Sequence, residues 1–526
     1  MAAGFHLADL FEIVAAAVPD RVALICGDDV LTYAELDART AAIAAALNAH
    51  GLAPGDRVGL YLTNHTEHLE AFIACAKARL VPFNVNYRYG ADELAHVFSN
   101  AEAAAIIHDD AFTPTMMAVR PRAPTIRAVF AVGAKSGGFH DLRTMAREAP
   151  AEIRAPRDGR DILLTYTGGT TGKPKGVMWP HQAFVFACAG GGGYFHPSGP
   201  ISAPEDIAIR AREGPQLRMF PVAPLMHAAA LWTVWSALLG GLSVVLDASP
   251  KFDAARVWDV VEAKGVNILQ FVGDAMAIPL ADTLAAHPGR WRLDALRSVG
   301  SGGAVFSRHV KEAFARLVPD LVVTDGMGSS ETGVSGMAKD GGEGMLRLPA
   351  GPAQTVVIGD RLARVGELGA LARSGYTPIG YFGDPEKTAE TFRKIDGRVW
   401  VVSGDEARLD EDGLITVFGR GSTCINSGGE KIYPEEVEEA LRALPGVQDA
   451  VVVGLPDQRW GERVVGLISA RVGEHAPDTA AVRAALEGII AAYKIPKSII
   501  VVGEVRRSPA GKQDYRWART RAELDS

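Results

Sequence analysis

From Thr167 to Gly176 the chain reads Thr-Gly-Gly-Thr-Thr-Gly-Lys-Pro-Lys-Gly, directly after an apolar, strand-like run. Glycines let backbone N–H groups approach an anion closely, hydroxyls donate to its oxygens, and lysines supply compact positive charge. That chemistry suits a polyphosphate. The spacing excludes the Walker A pattern, Gly-x4-Gly-Lys-Ser/Thr. Counting back from Gly172-Lys173, the first glycine would fall at Thr167, and Pro174 stands where the hydroxyl should be. The loop is a phosphate cradle of another kind.

Further clusters follow along the chain: Pro224-Leu225-Met226-His227, Ser301-Gly302-Gly303-Ala304, Asp325 through Gly333, Ser403-Gly404-Asp405, Phe418-Gly419-Arg420, Ser427 through Glu436, and Ser508-Pro509-Ala510-Gly511-Lys512. Gly300-x-Gly302 and Gly326-x-Gly328 begin like dinucleotide fingerprints. Val305 and Glu331 occupy the third-glycine positions, so that reading fails. The chain has no Gly-x-Ser-x-Gly elbow and no cysteine inside a motif, so no covalent nucleophile stands out.

In this order, and over nearly the whole chain, the motifs resemble those of the adenylate-forming superfamily: acyl-CoA synthetases, peptide-synthetase adenylation domains and luciferases. The resemblance implies a two-step reaction, with ATP, Mg2+ and coenzyme A. A carboxylate attacks the α-phosphate of ATP; a thiol then displaces AMP. It implies that Thr167, Gly168, Gly169, Thr170, Thr171, Gly172 and Lys175 cradle the phosphates, with Thr170 also acting in catalysis. Most members carry Ser or Thr where this chain has Gly168. Glu331 is implied as the metal ligand, with Gly328, Ser329 and Ser330 beside the phosphates. Gly302, Gly303 and Ala304 are implied along the adenine, and Asp325 as acceptor from its exocyclic amine. Gly326 and Met327 follow, Met327 replacing a tyrosine that usually stacks on the base. Asp405 is implied at the ribose and Arg420 at the ribose–phosphate. Lys512 is implied at the substrate carboxylate and α-phosphate, and Gly428 and Gly429 along a pantetheine tunnel. His227 is implied as the gate to the acyl pocket and as a catalytic residue.

The stretches expected to wall that pocket, Ala229–Leu239 and Phe271–Met276, are rich in Leu, Trp and Ala and lack Lys or Arg. That favours a hydrophobic acid. Four segments look like acyl-CoA synthetases acting on fatty acids and sterol side chains: Gly273–Met276, Gly328–Gly333, Ile379–Phe392 and Ile425–Glu430. The expected function is therefore an ATP-dependent acyl-CoA ligase for a fatty or bulky, steroid-type acid. The alternative is an adenylating enzyme that delivers its acyl group to a carrier protein. Such enzymes often carry a restraining insertion, and none is evident between Gly333 and Arg420. A catalytically silent relative is disfavoured by the presence of Glu331, Asp405 and Lys512.

The elements that must position these residues alternate between helix and strand. Thr32-x-x-Glu35 predicts a capping box for a helix ending near Gly51, followed by a strand at Val58–Leu62. Strands are predicted at Asp161–Thr167, Asn267–Val272 and Leu321–Thr324. Ala228–Leu246, nineteen residues without a formal charge, is broken by Gly240-Gly241 and reads as a buried helix and a buried strand rather than a membrane span. Pro197–Gly214 reads as an exposed loop or insertion. The expected fold is α/β: a large N-terminal domain (1–421) with mostly parallel sheets flanked by helices, holding the acyl, ATP and magnesium sites. A small α+β C-terminal unit (422–526) follows, which the resemblance implies is a mobile lid. The family hinge falls near Gly419–Ser422, with Ser422 where Asp or Lys is usual.

With 526 residues, 48% apolar and 22% charged, the chain has a globular composition. Its net charge of −8 argues against a nucleic-acid surface. Cys26, Cys75, Cys188 and Cys424 show no CxxC spacing and read as reduced thiols of a cytoplasmic protein. The N-terminus, with Asp9 and Glu12 and no basic region, does not read as a signal peptide. A homodimer is compatible with the sequence.

Overall fold

The computed structural model describes residues 4–133, 139–148, 156–167, 173–193, 196, 198–249, 251–304, 306–337, 339–340, 346–420, 423–427, 430–457, 461–487, 489–490, 492–507 and 512–525. Two largely parallel sheets form the body. One runs His140–Asp141, Ala128–Val132, Ala105–Asp109, Arg57–Tyr61, Val81–Asn84, Ile162–Thr167, Lys175–Pro180, with only the last pair antiparallel. The other runs Gly333–Met337, Val322–Ser329, Ser298–Gly302, Ile268–Phe271, Arg218–Pro221, Ser243–Leu246, Val22–Cys26, Asp29–Thr32, parallel except at its two edges. Their strands read as short apolar runs because helices cover them. The large domain and its mostly parallel sheets match the sequence expectation.

A third, antiparallel sheet is built from strands between Lys339 and Arg420. A fourth gathers Ile425–Ser427, Glu430–Ile432, Val447–Asp457, Gly461–Ala470 and Ser498–Val502 into the smaller C-terminal unit. The expected hinge residues Gly421 and Ser422 lie outside the described residues.

The main core takes residues from both parallel sheets and from helices Leu7–Ala17, Tyr33–Ala49, Thr66–Lys77 and Ala228–Leu239. The capping box forms as predicted: Thr32 Oγ1 accepts from Glu35 N, and Glu35 returns a carboxylate oxygen to Thr32 N at 2.8 Å. Ala228–Leu239 and Ser243–Leu246 are the buried helix and strand expected of the uncharged stretch. Among the described residues no helix is long and apolar enough to cross a membrane.

The expected loop at Pro197–Gly214 needs correcting, because it contains the helix Asp206–Glu213. Ile207 and Ala211, four residues apart, are its only buried positions, and the helix packs on Leu7–Ala17. Ser202 N and Ala203 N donate to the Asp206 carboxylate at its start. Four apolar residues, of which only Ile207 and Ala211 are buried, give a weak helical period in a mixed-charge segment, and tertiary contact supplies the rest.

Helix Thr66–Lys77 is buried along all twelve residues although it carries Glu67, His68, Glu70 and Lys77. Buried charge requires partners. Arg143 and His65 meet Glu67, Arg39 meets Glu70 at 2.9 Å, and Lys77 Nζ meets Asp37 at 2.6 Å. His65 also bonds Asp109.

The C-terminal unit docks through helix Pro434–Arg442. Arg442 is fully buried, with Nε 3.1 Å from Asp449, Nη2 3.2 Å from Glu438 and 2.9 Å from the Ala450 carbonyl. Its Nε also lies 4.0 Å from Asp274 of the body. Arg308 N donates to Glu439 at 2.9 Å, and the Tyr433 hydroxyl to Glu406 at 2.6 Å.

Two predictions follow from this packing. Arg442→Met should destabilise the protein by about 3–5 kcal/mol in urea unfolding, because it strands buried carboxylates without their cation; a loss below about 1 kcal/mol would contradict the network. Burial holds His68 and His181 down to about 4, so protonation of the unfolded chain should erode stability as pH falls from about 6.5 towards 4. His65 has the opposite sign. Burial opposes its charge, yet hydrogen bonds to Asp109 and Glu67 win and lift it to about 9, giving stability that is full below 6.5 and fades towards 9. The midpoint of thermal unfolding should therefore peak near neutrality, and His65→Gln should flatten the alkaline limb selectively. An alkaline limb unchanged in that variant would remove His65 as its cause.

Candidate active site

Strands Ile162–Thr167 and Lys175–Pro180 form an antiparallel hairpin that sets Thr167 opposite Lys175. The tip, carrying Gly168, Gly169, Thr170, Thr171 and Gly172, lies outside the described residues. Lys175 Nζ sits 2.6 Å from Asp384 and 5.7 Å from the centre of the Tyr381 ring. Both partners come from one segment, which pairs by backbone with the outer strand of the hairpin. Ile379 N donates to Met178 O, Met178 N to Gly380 O and Phe382 N to Gly176 O, at 2.8–2.9 Å.

The same segment reaches Glu331. The Tyr381 hydroxyl donates to Glu331 Oε1 at 3.0 Å, and Trp179 Nε1 to the Ser330 carbonyl at 2.9 Å. Glu331 stands on a tight hairpin between Val322–Ser329 and Gly333–Met337. A Cβ at Gly328 would fall 2.3 Å from the Gly333 carbonyl oxygen, and Gly333 has φ +69° with Ala187 packed against it. Glycine at both positions is what lets Ser329, Ser330 and Glu331 project together. Ser329 Oγ shares a hydrogen bond with Thr332 at 3.0 Å.

One strand away, Ser301 pairs with Asp325 and Gly302 with Gly326. Asp325 is nearly buried and bound to Lys311 Nζ at 2.6 Å. Burial raises its carboxyl above the usual range, and the Lys311 charge pulls against that shift. Gly303 faces Ala229, with 3.8 Å from its would-be Cβ to the alanine methyl, and Ala304 packs on the main core. Met327 packs on an apolar cluster of the third sheet that includes Ala407 and Val417. Within that sheet Asp405 pairs with Arg420 across neighbouring strands. Asp405 N donates to Ser403 Oγ at 3.3 Å.

His227 is half-buried and precedes helix Ala228–Leu239. The incompletely buried face of that helix is small: Ala228, Ala229, Thr233, Ser236. In the second expected wall Phe271 is buried, and so is Asp274. That carboxylate is occupied elsewhere, accepting from Ser307 N at 2.9 Å and facing Arg442.

Lys512 is exposed, next to Gln513 of the bridge Arg507–Gln513. Arg507 binds Asp449 at 2.7 Å, and Gln513 Nε2 donates to Ala450 O at 2.9 Å, which anchors this end of the chain to the Arg442 network. Gly428 and Gly429 lie outside the described residues. Among the described residues no group of three or more His, Cys, Asp or Glu is arranged to hold a metal. The structure thus joins Thr167, Lys175, Ser330 and Glu331 into one neighbourhood, and Gly302, Gly303, Asp325 and Met327 into the next. Tyr381, Asp384, Trp179 and Lys311 were not singled out as site residues in the sequence. Ile379–Phe392 stood out only as a motif, and nothing local in it points to Glu331.

Comparison with known proteins agrees with this layout. The model of the AMP-binding enzyme family matches residues 11–371, and that of its C-terminal domain matches 436–512. The chain is 40% identical to a medium/long-chain-fatty-acid–CoA/3-oxocholest-4-en-26-oate–CoA ligase of Mycobacterium marinum, over 99% of this chain and 98% of the relative. It is 38% identical to a 3-oxocholest-4-en-26-oate–CoA ligase of Rhodococcus rhodochrous, over 99% and 96%. Among solved structures, the anthranilate CoA ligase AuaEII in complex with anthranoyl-AMP superposes with a TM-score of 0.85 at 22% identity, covering 100% of this chain and 98% of that one. The hairpin that carries Lys175, the tight turn that carries Glu331 and the strands around Asp325 and Asp405 all fall in or beside the matched body, and the Lys512 segment closes the matched C-terminal domain: this chain belongs to the AMP-binding enzyme family.

Proposed function

We propose that the protein is an ATP-dependent acid–thiol ligase that converts a hydrophobic carboxylic acid, fatty or steroid-like, into its CoA thioester through an acyl-adenylate. The observation that carries this reading is the gathering of Lys175 and Glu331 around one segment, beside the paired strand ends that carry Gly302 and Asp325–Ser329. The full-length similarity to CoA ligases acting on such acids supports the substrate class. We place the protein in the cytoplasm.

The chemistry divides between two units, 1–421 and 422–526, the second acting as a lid. In the first step a carboxylate oxygen of the acid bonds to the α-phosphorus, and the bond from that phosphorus to the bridging oxygen breaks, releasing pyrophosphate. Two anions must meet, so charge has to be neutralised. Lys175 and the Thr167–Gly172 loop hold the outer phosphates. Asp325 accepts from the adenine amine, and Asp405 from the ribose hydroxyls beside Arg420. Lys512, carried in by the lid, faces the carboxylate and α-phosphate. His227 closes the acyl side. Glu331 suits a magnesium ion, since one carboxylate with phosphate oxygens and water makes an ordinary magnesium shell. When bound, that ion draws charge from the phosphate oxygens. In the second step the CoA sulfur attacks the acyl carbonyl and AMP leaves, with Gly428 and Gly429 lining the path of the pantetheine arm.

The direct test mixes enzyme, ATP, Mg2+ and a panel of fatty and steroid acids, with and without CoA. AMP and thioester in equal amounts are expected. AMP without thioester would favour delivery to a carrier protein, and no acid-dependent pyrophosphate exchange would end the proposal. Lys512→Ala should slow adenylation about 10²–10³-fold. Thioester formation from supplied acyl-AMP should stay near wild type, because the lid offers a different face in that step. Equal loss in both half-reactions would contradict the division.

A further inference from the structure

The Asn84 side chain joins the phosphate-loop hairpin to the segment that carries His227, and the Asn64 side chain ties that segment to the loop after strand Arg57–Tyr61. Asn84 ends strand Val81–Asn84 and is almost fully buried. Its Oδ1 accepts from Tyr166 N at 2.7 Å, while Nδ2 donates to Tyr166 O at 3.0 Å and to Met226 O at 2.6 Å. Tyr166 precedes Thr167, and Met226 precedes His227. The amide orientation is fixed by its surroundings, since an N–H lies on one side and carbonyls on the other. Asn64 repeats the arrangement two residues upstream on the gate: Nδ2 donates to Ala223 O at 3.1 Å, and Oδ1 accepts from Leu225 N at 2.7 Å. Asn64 itself is held on a stiff loop. Thr63 N and Oγ1 donate to Asp109, and His65 bonds both Asp109 and Glu67.

The phosphate hairpin belongs to one parallel sheet and the gate segment follows the strand Arg218–Pro221 of the other. No covalent path shorter than about sixty residues links them, and helix packing alone permits sliding. A bidentate amide behaves as a short piece of backbone and fixes both distance and direction. Backbone around Ala223–Met226 is buried and can trade these partners for water only at a cost.

We propose that Asn84, which ties the phosphate hairpin at Tyr166 to the gate segment at Met226, and Asn64, which braces that segment at Ala223 and Leu225, are positioning residues that let the acid's carboxylate meet the α-phosphate at attack distance. This rests on the gate role given to His227 under the proposed function. It goes further by naming the groups that tie that gate to the nucleotide side.

The test measures acid-dependent ATP–pyrophosphate exchange, resolving the KM for acid and for ATP, together with thermal unfolding. The full-length proteins are Asn84→Asp, Asn84→Ala, Asn64→Ala, His227→Ala, and His227→Ala combined with each alanine variant. Asn84→Asp keeps the acceptor for Tyr166 N and loses both donors; about tenfold loss of adenylation kcat/KM for the acid is expected. Asn64→Ala touches only the gate and should raise the acid KM about fivefold while the ATP KM stays unchanged. If the clasps act through the gate, either substitution should cost less than about threefold when His227 is already alanine. Fully multiplicative losses, or acid and ATP KM values shifted alike in Asn64→Ala, would show a merely structural role and overturn the proposal. Exchange unaffected by His227→Ala would overturn the gate reading, and the clasps with it. Should the Asn84 variants fail to fold, Asn64→Ala, on a half-exposed loop, decides the question through the same KM split and cycle.

Discussion

The segment from Ile379 to Asp384 carries the heaviest positional demand in the molecule. Lys175 comes from one parallel sheet and Glu331 from the other, and a single turn following the third sheet's early strands grips both. An ammonium and a carboxylate gripped by the same short segment must not collapse onto each other. Asp384 occupies the lysine and the Tyr381 hydroxyl occupies the glutamate, which keeps the two charges apart. The segment is in turn fixed by three backbone hydrogen bonds to the phosphate hairpin. Rigid scaffold rather than side-chain chance therefore sets the spacing of the charges, as electrostatic preorganisation requires.

The same economy of rigid elements extends inward. A helix buried along every residue sits between the two sheets, and its charged groups are matched one by one by His65, Arg143, Arg39 and Asp37. That polar interior lies directly behind the loop bearing Asn64, so the segment before His227 rests on paired charges as well as on apolar packing. On the far side, the short helix Arg308–Leu317 touches two functions: Lys311 holds Asp325, and Arg308 N holds Glu439 of the C-terminal unit. The Asp325 strand and the C-terminal unit thus meet on one ten-residue element.

Much of this was legible in the residues themselves. Motif order gave the family, and the capping box, the buried helix at Ala228–Leu239 and the parallel strands appeared where periodicity put them. The antiparallel third sheet was not anticipated, because burial along strands such as Leu368–Ser374 and Arg398–Leu409 comes in blocks rather than in alternation, and no period of two marks them. The helix Asp206–Glu213 was hidden by a mixed-charge surface in which only two of four apolar residues are buried. Partnerships were the least visible layer. Tyr381 with Glu331 spans 50 residues and Asn84 with Met226 spans 142. No local pattern encodes such pairs; only the crossing of the two sheets creates them. Asp274 shows the converse. In the sequence it stands inside an expected acyl wall, whereas the fold turns it to Ser307 and Arg442.

One structure would test the central claim most directly: a crystal of the full chain with a hydrolysis-resistant acyl-adenylate analogue of a long-chain acid. The adenine is expected against Gly302–Ala304 with its amine at Asp325, the ribose at Asp405, the phosphate mimic between the Thr167–Gly172 loop and Glu331, and the acyl chain past His227. A ligand seated away from these residues, or one that left Glu331 and Asp405 on opposite sides of unrelated clefts, would contradict it.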